Sequence, residues 1–142
     1  MIGMAILKPV VALAIWTMVM WVWLYATRIP AMKAAKVDVA AKVGGSAKDL
    51  DELLPPQVQW KAHNYNHLHE APTVFYAVAV VLAIVGQGDG ANAALGWAYV
   101  VLRVLHSLIQ ATVNRVIVRF SVFALSSMVL IALILHAAVA VF

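Results

Sequence analysis

The sequence has no cysteine. Disulfides, thiolate nucleophiles and cysteine metal sites are therefore excluded, although nothing follows about compartment. Charge is also scarce. Asp, Glu, Lys and Arg make up 11% of the 142 residues, where a soluble domain carries about 25%. Acidic side chains number only six against ten Lys and Arg, for a net charge of +4. The basic residues do not cluster with aromatics, which argues against a nucleic-acid surface. What fills the chain instead is apolar: 65% of residues are hydrophobic and the mean hydropathy is +0.93. This length holds one domain, residues 1–142. Its composition is that of an integral membrane protein.

Hydropathy divides the chain into four spans. Residues 4–25 are apolar apart from Lys8, Pro9 and Thr17. The run reaches the roughly 20 residues that crossing requires and is too long for a signal-peptide core. Trp21, Trp23 and Tyr25 form an interfacial belt, and Arg28 with Pro30 predicts the helix end, so the first span is set at residues 4–27. Residues 31–56 mix Lys33, Lys36, Lys42 and Lys48 with Asp38, Asp49, Asp51 and Glu52, around a Gly44-Gly45-Ser46 break. They read as part of a solvated loop over 28–57 with one short helix at most. The next apolar run, 71–85, rises only about 22 Å, against a hydrocarbon core of about 30 Å. The second span must borrow from the polar stretch before it and is set at 60–86. That puts His67 and Glu70 inside the membrane boundary, with Pro72 expected to kink the helix. Gly86 to Gly90 is a tight turn. The third span is 91–112, with Arg103 near its middle, and the fourth is 119–142.

The fold class expected is thus all-α, a four-helix transmembrane bundle in contact with membrane lipids. Lys and Arg concentrate in 28–57 and in 112–119. The positive-inside rule places those two segments in the cytoplasm and both termini outside, in the cell (inner) membrane.

Ionisable groups at membrane depth are functional candidates. At 100° per residue, His63, Asn66, His67 and Glu70 share an arc of about 100° on one helix. Tyr99, Arg103, His106, Ser107, Gln110 and Asn114 form a similar stripe on the next span. Counting from the turn predicts that Glu70 pairs with Arg103 or hydrogen-bonds His106. Such a pair could be structural glue or part of a polar site at the cytoplasmic end. The i, i+4, i+7 spacing of His63, His67 and Glu70 could present metal ligands. No second helix supplies a matching carboxylate, so no metal site is expected. Lys61, Arg103, Arg115 and Arg119 would make an anion-attracting mouth. Arg115 and Arg119 serve equally well as topology determinants and headgroup contacts.

The run Asn64-Tyr65-Asn66-His67-Leu68-His69-Glu70-Ala71-Pro72-Thr73-Val74-Phe75-Tyr76 resembles the helix-two motif of the membrane-associated proteins in eicosanoid and glutathione metabolism, the MAPEG family, in its bacterial branch. Leu102-Arg103-Val104-Leu105-His106-Ser107, with Asn114-Arg115-Val116 and Arg119-Phe120, extends the match. The resemblance implies a homotrimer of four-helix bundles. It implies glutathione bound between subunits near the cytoplasmic side, with arginines activating its thiol. It implies a transferase or peroxidase acting on a lipophilic small molecule. It assigns Arg119 as thiolate stabiliser and Arg103 and Arg115 as anion contacts. Glu70 and His106 also fall on family positions. His63 and His67 fall on glutathione-contacting positions where family enzymes carry Arg and Asn, and Gln110 stands where a Tyr is frequent. These departures keep a second reading open: a non-catalytic scaffold, lipid binder or accessory subunit of a larger complex.

Overall fold

The computed structural model covers residues 1–142 and contains α-helices and one short 3₁₀ turn, with no strand. The helices are α1 (Leu7–Ala34), α2 (Pro56–His67), α3 (Ala71–Ile84), α4 (Ala91–Ala111) and α5 (Val116–Val141). Four segments are long and apolar enough to cross a membrane: α1, α2 with α3 together, α4, and α5. The chain is a multi-pass, all-α membrane protein.

α1 runs past the end expected at Arg28 and Pro30 and continues to Ala34. Proline breaks a helix by removing one N–H and crowding the carbonyl four residues back. Here that carbonyl belongs to Ala26, one turn from the Thr27 hydroxyl bonds to the Trp23 and Leu24 carbonyls, and the remaining helix still closes. Arg28 is not a boundary residue in water. It is buried, and its guanidinium donates to Gln59 Oε1 at 3.1 Å.

The second span is broken where the sequence predicted a kink. The His69 and Glu70 amides fall back to the carbonyls three residues earlier, Asn66 and His67. Glu70 then leaves helical geometry at φ −93°, ψ −106°, and α3 restarts with Pro72 in its first turn. Proline suits that position because its missing N–H would have been unpaired there anyway. The Thr73 amide and hydroxyl both donate to the Glu70 carbonyl, sealing the restart.

α1 packs on α2, α3 and α4, while α5 packs on α4 and α3, so α1 and α5 occupy opposite corners. The fully buried core includes Leu13, Met20, Phe75, Ala79, Leu82, Tyr99 and Leu133. Phe75 and Tyr99 stack with ring centroids 4.5 Å apart. At the far end the N-terminus is stitched to the α3–α4 turn: Gly3 N–H donates to Ala83 O at 2.9 Å, Ile6 N–H to Gly88 O at 2.8 Å, and Ala5 N–H to Asp89 Oδ1 at 2.9 Å. Gly88 is required there, because a Cβ would collide with the Gly3 carbonyl. The outer surface is lined with Ile15, Val22, Leu125, Met128 and Ile131, which suits lipid or a neighbouring helix.

Candidate functional site

The site is built on the polar stripe of α4. Arg103 is 1% exposed. Its Nε donates to Tyr99 Oη at 3.0 Å, one helical turn away, and its NH1 lies 3.4 Å from His67 Nε2. The guanidinium carbon sits 5.4 Å from the Tyr99 ring centroid and 5.5 Å from that of Phe123. Its NH2 has no partner, and no carboxylate is paired with it. A buried cation stripped of water is costly without a counter-ion, so aromatic faces and two hydrogen bonds leave it under-compensated.

His67 comes from the last turn of α2. Its Nδ1 is 2.8 Å from Glu70 Oε2. A carboxylate only accepts and a guanidinium only donates, so both partners fix one tautomer: hydrogen on Nδ1, lone pair on Nε2. The contact is an i, i+3 pair spanning the turn Leu68–Glu70, the spacing at which helical side chains are neighbours. The His67 ring lies 4.9 Å from the buried His106 ring and 5.8 Å from Phe123.

A cavity of about 260 Å³ opens beside these rings, lined by His67, His106, Gln110, Val116, Arg119, Phe120 and Phe123. Arg119 donates from NH1 to Asn114 Oδ1 at 2.6 Å, which anchors one side of its fork. Gln110 Oε1 is buried without a partner. The walls thus combine one guanidinium, two imidazole rings, a carboxamide and two aromatic faces.

The expected Glu70–Arg103 pair does not form. Glu70 is not buried: its side chain is 65% exposed and reaches Arg103 only through His67. The helix break is the reason, since Glu70 leaves helical geometry there and its side chain turns outward instead of toward Arg103. His63 also leaves the group. It faces Asp51 at 3.2 Å, and Asp51 in turn accepts from Gln59, which holds Arg28. Hydrogen bonding from the Gln59 amide, then from His63, holds the Asp51 carboxyl below its usual range. This second cluster ties the 3₁₀ turn Ala47–Leu50, capped by Ser46 and Asp49, to α1 and α2. Lys61 does not belong to the cavity mouth either. It donates to Gln57 O at 2.7 Å and lies over Trp23. Arg115 is exposed at the start of α5. No group of three His, Asp or Glu side chains converges at metal-binding spacing.

Phe123 carries no polar group to mark it in the sequence, and Phe120 entered only beside Arg119 in the family-like motif. Positions 119, 120 and 123 nonetheless lie on one face of α5, which brings both rings to the cavity beside Arg119. At the opposite end, His136 bonds Asn92, whose amide donates to Gln87 O at 2.8 Å. Nothing in the spacing of residues 92 and 136 foretold that contact.

The family model described as the MAPEG family matches residues 6–139. No curated protein and no solved structure matches the chain significantly.

Proposed function

The chain belongs to the MAPEG family, and from that membership we propose that it binds glutathione and either conjugates it to a lipophilic electrophile or uses it to reduce a lipid peroxide. The observation that carries this reading is the cavity where Arg119, His106, His67 and Gln110 meet two phenylalanines beside the buried Arg103. Glutathione is an anionic, hydrogen-bonding ligand, and the site's chemistry fits one. Arg103 NH2 lacks an acceptor and Gln110 Oε1 lacks a donor. Arg119 is the thiolate stabiliser in this reading, with one side of its guanidinium fork held by Asn114. Arg103 supplies positive potential from behind, and the phenylalanines offer an apolar approach from the bilayer.

One chain encloses about 260 Å³, below the roughly 300–1,000 Å³ of ordinary ligand pockets. That shortfall supports completion of the site by a neighbouring copy, in a homotrimer. Arg115 would then reach an anion held by the neighbour. The cytoplasmic assignment of 28–57 and 112–119 opens the cavity toward the compartment that supplies a soluble thiol.

The test is isothermal titration of purified protein with glutathione, in detergent particles whose protein mass should be three times the 15.4 kDa chain. Saturable binding below millimolar is expected. Arg119→Ala should lower conjugation of a model electrophile by about 10²-fold, the scale for removing one preorganised stabiliser. Absence of saturable binding at millimolar glutathione refutes the enzyme reading. The competing reading, a non-catalytic scaffold or lipid binder, draws on His63, whose ring is committed to Asp51 outside the cavity. It predicts that same absence.

A further inference from the structure

We infer that His67, held by Glu70, is the general base that takes the proton from a thiol bound in the cavity. The inference rests on the glutathione reading and assigns a catalytic residue within it. Three features of the geometry carry it. First, the 2.8 Å contact with Glu70 orients the ring and supplies a counter-charge for an imidazolium. Second, the same contact fixes the proton on Nδ1 and leaves Nε2 as the basic nitrogen, while the ring lines the cavity. Third, Nε2 is bound only by the long 3.4 Å contact from Arg103, so its lone pair is weakly committed.

The step balances within the site. The thiol S–H bond breaks, its proton forms an N–H bond at His67 Nε2, and the electron pair stays on sulfur as thiolate. Glu70 then faces an imidazolium across an existing hydrogen bond, and no further proton moves. Arg103 NH1 loses its acceptor, leaving a buried guanidinium that favours an anion in the cavity. Arg119 lines the same cavity and takes the thiolate. The charged and titratable groups around His67 are Glu70 at the α2–α3 break, Arg103 and His106 on α4, and Arg119 on α5. Three of the four are cations or neutral, so Glu70 is the single anion able to offset the new charge on His67.

The experiment is nitrogen NMR of histidine-labelled protein in nanodiscs, with glutathione and S-methylglutathione as probes. The ligand-free His67 signal, assigned by its loss in His67→Asn, should show the Nδ1–H tautomer. Saturating glutathione should convert it to the doubly protonated ring, and S-methylglutathione, which has no thiol proton, should not. Ultraviolet absorbance should report bound thiolate at pH 7 in the wild type. About tenfold less thiolate per bound ligand is expected in His67→Asn, and an intermediate loss in Glu70→Gln. An Nε2–H tautomer in the free protein overturns the inference, as does an equal thiolate yield in saturated His67→Asn. If wild-type protein binds no glutathione, both this inference and the function reading fall. If it binds glutathione with His67 unchanged, only this inference does.

Discussion

Arg103 concentrates the energetic tension of the molecule in one side chain. It is buried at membrane depth, bonded to a phenol and an imidazole, and one of its nitrogens has no partner. A group selected for stability alone would be paired or apolar, because replacing a buried charge by an apolar side chain of similar volume is often neutral or stabilising. Arg103→Met should therefore leave the unfolding free energy within about 1 kcal/mol of wild type or above it, the released Tyr99 hydroxyl setting the downside. Glutathione binding should fall at least tenfold in the same variant. Unfolding in detergent followed by titration measures both. A large loss of stability with binding intact would make Arg103 structural glue instead. His67 is the other instructive residue, since its role depends on which neighbour holds each ring nitrogen.

Among the elements, the broken second span and the loop that braces it decide where the polar residues go. His63 and His67 both sit on α2, one turn apart and ahead of the break at Leu68–Glu70, yet they find different partners. His67 turns into the bundle, while His63 stays with the 3₁₀ turn through Asp51. Asp51 is also the group whose titration has a readable sign. Its carboxyl is held below the ordinary carboxylate value of 3.8, chiefly by the Gln59 amide. A lowered folded value means its contribution is fully present above 3.8 and is lost as pH falls from there through the lowered value. Amide exchange over residues 47–54, corrected for intrinsic rates, should stay constant from pH 7 down to about 4 and rise below that. Asp51→Asn should exchange about two- to fivefold faster at pH 7 and show no such rise. Equal protection in wild type and variant would mean the loop is held by its 3₁₀ cap alone.

At the scale of the whole molecule, charge and apolar surface set orientation. Residues 28–57 carry Arg28, Lys33, Lys36, Lys42 and Lys48, and the α4–α5 connection adds Arg115 with Arg119 just inside α5, while the α3–α4 turn has no basic residue. Translocating five cations would be opposed, so the loop is expected in the cytoplasm. The cysteine-free chain makes this simple to measure. Ser46→Cys should react with an impermeant thiol reagent only after the membrane is opened, and Gln87→Cys should react in intact cells. The reverse pattern would invert the topology and place the cavity on the outer side. The exposed apolar side chains of the spans, including Ile117 and Val139, are compatible with lipid on some faces and a second copy on others.

The order of apolar runs determined that this chain is helical with four segments long enough to cross a membrane, because hydrophobic length is a property of sequence that needs no partner. The α4 stripe was legible for the same reason: Tyr99, Arg103, His106, Ser107 and Gln110 share one face of an unbroken helix, and all are buried. The α2–α3 region was legible only in part. Pro72 announced a break, but the direction the chain takes after a break depends on backbone angles that periodicity does not encode. That is why Glu70 is exposed beside His67 instead of buried against Arg103. Arg28 shows the same limit: a charge next to a proline reads as a helix end until Gln59 is brought to it from 31 residues away. Helical faces follow from the local repeat. The partner each buried charge finds is decided only when separate helices pack.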